Sequence, residues 1–274
     1  MVIDESARGR PSLALGGLIT EYSGFRQRGV EPALHRGLPS PFMTFIVTLY
    51  EPLRIVEQVD GRPGAAYDVF VGGLHSRPAL VGHDGAQSGI QLRVSPLASR
   101  ALFGVPAGEL AGADFAAEDV LGRVAGELQA RVAEAPSWAE RFAILDHVLG
   151  KRTAGRPVPP RPVREAWRLL LATGGRIPVA TVAREVGWTQ RQLARRFTEE
   201  IGLSPKLAAR VIRFHRAQNT IAACTSSIAT AAAKCGYADQ PHLDRDFREF
   251  AGLPPSTWLQ EEFRNVQATE SSAP

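Results

Sequence analysis

The chain has 274 residues, a hydrophobic fraction of 44%, a charged fraction of 22% and a formal net charge of +4. Its length exceeds the roughly 100–200 residues of one domain, so we expect two domains. The composition excludes a disordered polyelectrolyte, and no apolar run approaches the roughly 18 residues that a membrane-spanning helix needs. The N-terminal segment lacks the apolar core of a signal peptide, so we expect a cytoplasmic protein with no membrane partner.

Charge is distributed unevenly along the chain. Residues 1–155 hold 15 basic and 17 acidic side chains, a balance of −2. Residues 156–264 hold 17 basic and 10 acidic side chains, a balance of +7. A basic C-terminal part joined to a near-neutral N-terminal part favours a polyanion-binding module coupled to a module with another role.

The N-terminal half changes its hydrophobic period near residue 97. Short runs rich in β-branched and aromatic residues predict strands at Phe42–Tyr50, Leu53–Val59, Asp68–Val71 and Ile90–Val94. Further along, apolar residues recur at helical spacing. We therefore predict a regulatory or sensor domain over 1–150 that is β-rich over 11–95 and helical over 97–149.

Residues 151–162 are rich in proline and arginine, a composition that resists helix formation and extends as a semi-rigid spacer. We predict a linker there. Beyond it, helical periodicity continues over 163–264, and we expect the polar tail 265–274 to be disordered.

An internal repeat occupies the C-terminal part. Residues 179–188 (VATVAREVGW) align with 228–237 (IATAAAKCGY), and 193–205 (LARRFTEEIGLSP) align with 243–255 (LDRDFREFAGLPP). Each copy has a short helical pattern, a glycine followed by an aromatic residue, and a second helical pattern. This order predicts two helix-turn-helix units.

Local signals support both units. Gly187 and Gly236 stand where the first helix of each copy ends, and Thr189 and Asp239 are placed to cap the second helix. Between the copies, Pro205 opens a helix that we predict to run to residue 222. At 1.5 Å per residue this helix would span about 27 Å, close to the roughly 34 Å between adjacent major-groove faces of a duplex.

This arrangement resembles the C-terminal domain of AraC/XylS-type transcription regulators over about 160–264. The residues that carry the resemblance are Ala183, Gly187, Leu193, Arg195, Phe197, Gly202, Pro205, Arg213, Ala217, Ile228, Ala232, Gly236, Tyr237, Leu243, Arg245, Phe247, Gly252 and Pro255. The resemblance implies an all-α double helix-turn-helix domain that binds double-stranded DNA sequence-specifically. It also implies control of transcription, usually as an activator in contact with RNA polymerase.

The N-terminal half is similar to the sensor part of a subset of these regulators, through segments such as LPSPFMTFIVTLYEPL and GIQLRVSPLASRALFGVPAGEL. This similarity implies a mainly β, cupin-like regulatory domain that binds a small-molecule effector or another subunit. The helices that follow the strands either form a homodimer face or pack on their own sheet. The predicted fold class is therefore α+β.

In this family, outward residues of the recognition helices contact DNA. Carried over by position, the candidate DNA-binding residues are Gln190, Arg191, Arg195, Arg196, Gln240, His242, Arg245 and Arg248. Arg191 and Arg195 are four residues apart and share a helix face, where each guanidinium could donate two hydrogen bonds to guanine. Arg196 points one position further round and is assigned to a phosphate.

The second unit is expected to contribute less to base reading, because its recognition helix also carries acids that the phosphates would repel. These acids are Asp239, Asp244 and Asp246. We interpret Asp239 as a helix cap, and Asp244 or Asp246 as a partner of Arg248.

Enzymatic and metal-binding roles find little support in the sequence. The closest histidine pair of the N-terminal half, His75 and His83, is eight residues apart, unlike the close pair of a metal-dependent cupin. Residues 1–155 contain no cysteine for a methyl-accepting repair protein. We therefore predict no catalytic residue, metal or cofactor. The alternatives are a constitutive or architectural DNA-binding protein without an effector and a cupin-type enzyme fused to a DNA-binding domain.

Overall fold

The computed structural model describes residues 2–223 and 227–261. Its strands lie in the N-terminal half and are β1 (Ile3–Gly9), β2 (Ile19–Arg28), β3 (Ala33–Gly37), β4 (Met43–Thr48), β5 (Leu53–Glu57), β6 (Pro63–Tyr67), β7 (Val69–Gly72), β8 (Ala79–His83), β9 (Ala86–Val94) and β10 (Asp114–Ala116). They form a six-stranded sheet in the order β1-β2-β9-β4-β7-β10 and a four-stranded sheet in the order β3-β8-β5-β6. Every strand pair in both sheets is antiparallel.

The helices follow or interrupt these strands and then make up the C-terminal half. They are α1 (Ser99–Phe103), α2 (Ala107–Leu110), α3 (Ala117–Leu121), α4 (Val124–Glu134), α5 (Trp138–Thr153), α6 (Arg161–Ala172), α7 (Val179–Glu185), α8 (Gln190–Ile201), α9 (Pro205–Ala222), α10 (Ile228–Cys235) and α11 (Gln240–Ala251). A further helical segment covers 255–261.

The main N-terminal core lies between one face of the six-stranded sheet and the helices α4 and α5. Successive side chains of a strand point to opposite faces, and in β9 the residues Ile90, Leu92 and Val94 are fully buried on this side. Leu128 of α4 and Leu145 of α5 belong to the same buried cluster. Removing these side chains from water is the main contribution to holding the helices on the sheet.

The four-stranded sheet covers part of the opposite face. A small buried cluster of Ile46, Ile55 and Phe70 joins the two sheets. The remainder of this face carries polar side chains, including Gln87 of β9 and Asp114 of β10, which line a cavity between the sheets.

The predicted fold class, α+β with a mainly β N-terminal half and an all-α C-terminal half, is confirmed. Two strands nevertheless lie outside the segment that the sequence marks as β-rich, because β1 precedes residue 11 and β10 lies within 97–149. The helical pattern before residue 135 is divided into α3 and α4 at Gly122, whose φ of +63° interrupts the helix.

The C-terminal half follows the predicted element order. Helix α9 runs from Pro205 to Ala222, as the sequence predicts, and the Ser204 hydroxyl caps it by accepting from the Leu207 N–H. Residues 262–264 of the predicted double helix-turn-helix segment, and the predicted tail 265–274, lie outside the described residues.

Helix α2 packs closely on the C-terminal end of α8. A Cβ added to Gly108 would lie 2.3 Å from the Glu199 carbonyl oxygen, and one added to Gly202 would lie 2.4 Å from the Ala111 Cβ. Only glycine permits this approach. The N-terminal half is therefore in direct contact with the first helix-turn-helix unit.

Candidate nucleic-acid interface and adjoining cavity

The first helix-turn-helix unit consists of α7, a tight turn and α8. Gly187 adopts a φ of +72° in the turn, a left-handed conformation that glycine takes without a Cβ penalty. The Thr189 side chain accepts a hydrogen bond from the Gln192 N–H and caps α8. Both features were predicted from the sequence and are confirmed.

The inward face of α8 fixes which residues face outward. Leu193 and Phe197 are fully buried, whereas Gln190, Arg191 and Arg195 are exposed. Because residues four apart share a helix face, the two guanidinium groups stand together on the open side of the helix. Their assignment to base edges stays a prediction.

Glu199 lies at the end of this exposed row. Its carboxylate is 4.0 Å from the Arg195 Nη1 and 3.2 Å from the Arg196 Nη1. All three side chains are at least half-exposed, and such surface pairs contribute only about 0–1 kcal/mol. Either arginine can therefore exchange this carboxylate for a phosphate or a guanine at little cost.

The second unit repeats this arrangement with α10 and α11. The Asp239 carboxylate accepts from the His242 N–H at 2.7 Å and caps α11, so its predicted capping role is confirmed. Gln240, Arg245 and Arg248 are exposed, whereas His242 is half-buried. The His242 ring packs against Tyr237 edge to face, with 5.0 Å between the ring centroids.

The structure corrects the expected pairing of the other acids with Arg248. Asp246 is 3% exposed, and its carboxylate instead accepts from Arg210 of α9 at 2.7 Å and from the Tyr237 hydroxyl at 3.1 Å. These bonds tie α11 to α9. One Asp244 carboxylate oxygen is buried without a hydrogen-bond partner, so Asp244 does not pair with Arg248 through that atom.

A groove between the two units connects the N-terminal ends of α8 and α11. The residues that line it include the predicted Gln190, His242 and Arg245 together with Arg176 and Lys206. The last two were not predicted from the sequence, because they lie outside both recognition helices and only the fold brings them beside those helices. Both add positive charge to the groove.

The cavity between the sheets has a volume of about 490 Å³ and extends to the long helix α9. Ile46 and Phe70 form part of its apolar surface, and Gln87 and Arg93 are among its polar residues. His215 of α9 also lines it, so one cavity touches both halves of the chain. This site was not predicted from the sequence, because polar residues that alternate along β9 are typical of a solvent-facing strand face.

Half-buried His215 is a cavity residue whose pKa is strongly shifted by its surroundings. Desolvation, assisted by the positive charge of Arg93, lowers the pKa of His215 to about 4, although the Gln218 side chain favours the protonated form. The imidazole is therefore neutral near pH 7. It packs edge to face against Phe42, with 6.0 Å between the ring centroids.

Within the described part of the chain, no group of three His, Cys, Asp or Glu residues could hold a metal ion. His83 stacks on His35, and His75 is bonded to the Arg77 carbonyl oxygen. Of the helices in the described ranges, none is long and apolar enough to cross a membrane.

Comparisons with known proteins identify the C-terminal segment. Residues 182–261 match the family described as helix-turn-helix domain. The HTH-type transcriptional regulator GbdR of Pseudomonas aeruginosa is 33% identical over 70 residues, which cover 26% of this chain and 19% of GbdR. The match thus spans about a fifth of that relative's length.

Solved structures match over larger and smaller parts of the chain. ToxT from Vibrio cholerae O395 has a TM-score of 0.50 and 11% identity, and the match covers 88% of this chain and 96% of ToxT; at that identity it shows the fold alone. An AraC-type regulator from Chromobacterium violaceum is 25% identical with a TM-score of 0.34, over 36% of this chain and 90% of that chain.

The matched segment 182–261 contains both helix-turn-helix units and the long helix between them. Its order of elements, its caps and its duplicated Leu and Phe positions agree with the resemblance that the sequence alone carries. Residues 182–261 of this chain therefore match a helix-turn-helix domain family, in agreement with the double helix-turn-helix arrangement that the sequence predicts.

Proposed function

We propose that this protein is a sequence-specific, DNA-binding transcription regulator that reads the major groove with α8 and α11. The observation that carries the proposal is the pair of exposed arginines, Arg191 and Arg195, on a capped recognition helix whose arrangement is repeated by α11. Helix α9 has 18 residues, about 27 Å at 1.5 Å per residue. It spaces the two units for successive major-groove faces of one duplex.

Each contact has a distinct role in this proposal. Arg191 and Arg195 read guanine through paired hydrogen bonds, and Gln190 can read adenine. Arg196 and the groove residues Arg176 and Lys206 bind phosphates, which fixes the register of the protein on the duplex without reading sequence.

The cavity serves as an effector site in the same proposal. Its volume of about 490 Å³ falls within the range of about 300–1,000 Å³ typical of small-molecule sites. A ToxT structure from V. cholerae O395, 13% identical with a TM-score of 0.51 over 88% of this chain and 98% of ToxT, is bound to (E)-4-(8-methylnaphthalen-1-yl)but-3-enoic acid. We propose that a small molecule likewise binds the N-terminal half here.

Two contacts can transmit effector binding to the DNA-reading half. His215 and Gln218 place α9 at the cavity, and Arg100 binds Glu200 of α8. An effector that changes the packing at either contact shifts the population of DNA-binding arrangements by its differential affinity for them.

The remaining assignments follow from the regulator role. We propose division into a regulatory part over 1–150, a linker over 151–162 and a DNA-binding part over 163–264; within the linker, only 154–160 lie between α5 and α6. Contact with RNA polymerase, homodimer formation and a cytoplasmic location belong to the same proposal, which gives the chain no catalytic reaction.

Selection of bound sequences from random duplex DNA by the full-length protein tests this function. Enrichment of one motif with two parts about one helical turn apart, roughly 34 Å, would support it. Strong but sequence-independent binding would instead favour an architectural DNA-binding protein, and no binding at low salt would reject both.

A further inference from the structure

One row of residues crosses the six-stranded sheet along the cavity. In the strand register, Asp114 pairs with Gly72, Gly72 with Thr44, and Thr44 with Arg93. Residues paired in this way point to the same face of a sheet, and all four line the cavity. Adjacent strands are about 4.8 Å apart, so the row places an acid and a base about 14 Å apart at their backbones.

The acidic end of the row is the buried end. Asp114 is 4% exposed, and its carboxylate accepts from the Val59 N–H at 3.3 Å. No arginine, lysine or histidine of the described ranges forms an ion pair with it; Arg62 donates to its backbone carbonyl and pairs with Asp60 instead. Burial raises the pKa of Asp114, with Arg62 opposing that shift. A buried carboxyl with so few donors is costly.

The basic end of the row is the open end. Arg93 is exposed, and its Nη1 lies 3.2 Å from a Glu21 carboxylate oxygen, which leaves other guanidinium donors for a ligand. His215 lies beside it: the Nε2 atom lies 3.2 Å from the Asn219 amide nitrogen, and in the tautomer that accepts from this amide the ring hydrogen is on Nδ1. That Nδ1 is buried without a hydrogen-bond partner.

The two residues in the middle of the row, Gly72 and Thr44, have no large side chain that would fill the cavity. Gly72 has no side chain there, and a Cβ at this position would lie 2.9 Å from the Phe70 ring. Thr44 is small. In the neighbouring register row Phe70 pairs with Ile46. These two side chains give the cavity an apolar surface near the row, whose two ends are polar.

We propose that the effector of this cavity is an amino-acid-like zwitterion: a protonated amine binds Asp114, an apolar body lies over Ile46 and Phe70, and a carboxylate binds Arg93 and His215. The inference rests on the proposed effector role of the cavity and adds the ligand class. A simple carboxylic acid would leave the buried Asp114 carboxyl uncompensated, and a simple amine would leave the His215 donor uncompensated. A zwitterion satisfies both ends at once.

Calorimetric titration of the full-length protein with three probes of one chain length tests this assignment. The probes are 8-aminooctanoate, octanoate and octylamine. We expect 8-aminooctanoate to bind at least tenfold more tightly than either of the others. Asp114→Asn, which keeps the shape of the side chain, should abolish the preference over octanoate, and Arg93→Gln should abolish the preference over octylamine.

Asp84→Asn is the matched control, because Asp84 is an exposed carboxylate outside the row and its removal should leave all three affinities unchanged. Equal binding of octanoate and 8-aminooctanoate to the wild type would overturn the zwitterion assignment, as would the absence of binding by all three probes. Site-specific DNA binding measured on the same preparation reports the proposed function separately, so failure of the ligand class does not imply failure of the regulator role.

Discussion

Arg100 and Glu200 form a bidentate ion pair between the N-terminal half and the first recognition helix. The Arg100 Nε and Nη2 atoms donate to the two Glu200 carboxylate oxygens at 2.8 and 2.9 Å. The Glu200 side chain is 9% exposed and that of Arg100 is 34% exposed. Since Glu200 lies on the inward side of α8, this contact holds the helix without covering the exposed face of Arg191 and Arg195.

This ion pair should contribute measurably to stability. In a double-mutant cycle with Arg100→Ala and Glu200→Ala, we expect a coupling energy of about 1–2 kcal/mol in the free energy of unfolding, measured by chemical denaturation. Glu165 and Arg168 form a matched pair on the surface, for which the same cycle should give less than about 0.5 kcal/mol. Equal coupling energies in the two cycles would contradict a stabilising contribution of the Arg100–Glu200 pair beyond that of a surface ion pair.

His215 should make stability depend on pH. Its pKa is about 4 in the folded chain against about 6.5 in the unfolded chain, so the unfolded chain binds more protons between these values. The free energy of unfolding should therefore fall by about 2 kcal/mol from pH 7 to pH 5 through this residue. His215→Gln should remove that part of the slope, whereas replacement of the exposed His147 by Gln should not. An unchanged slope in His215→Gln would contradict the burial argument.

Arg191 and Arg195 should specify sequence. Changing either residue to Ala should weaken binding to the selected site by about 1–3 kcal/mol and binding to random DNA much less, because a lost base contact leaves the phosphate contacts in place. Lys206→Ala is the comparison, since a phosphate contact should weaken both by similar amounts. Fluorescence anisotropy with the two DNAs measures this, and equal losses for the arginine variants would reduce them to phosphate contacts.

The second unit should contribute less to base reading than the first. Asp239 caps α11 and Asp246 is buried against Arg210, so these acids repel DNA less than the sequence suggests. The expected asymmetry now depends on three exposed arginines in α8 against two in α11. Footprinting should show a larger loss of protection for Arg195→Ala than for Arg245→Ala. The reverse ranking would reject this division of roles.

Local signals in the sequence were sufficient to predict the helices and turns of the C-terminal half. Capping residues such as Thr189 and Asp239, and the turn glycine Gly187, act on their own neighbours, so spacing alone locates them. The repeat then placed the recognition helices within a few residues of α8 and α11. The side-chain roles of Asp244 and Asp246 were not accessible in this way, because Arg210 approaches Asp246 from another helix.

The N-terminal half was less predictable for a physical reason. Strand β1 begins at Ile3 and contains mostly polar or small residues, and only pairing with β2 makes it a strand. The cavity likewise depends on residues such as Asp114 and Arg93, which are far apart in sequence and meet through strand register. Polar residues that alternate along a strand do not show whether the polar face of that strand contacts water or a second sheet.

The central claim is site-specific DNA binding by the C-terminal half, and a salt-dependent titration tests it most directly. Residues 157–264 and the full-length protein are each titrated against the selected duplex and a scrambled duplex at increasing salt concentration. We expect both proteins to bind the selected duplex more tightly, with affinity that falls steeply as salt rises because phosphate contacts release counterions. If neither protein distinguished the two duplexes at any salt concentration, the assignment of α8 and α11 as recognition helices would be wrong.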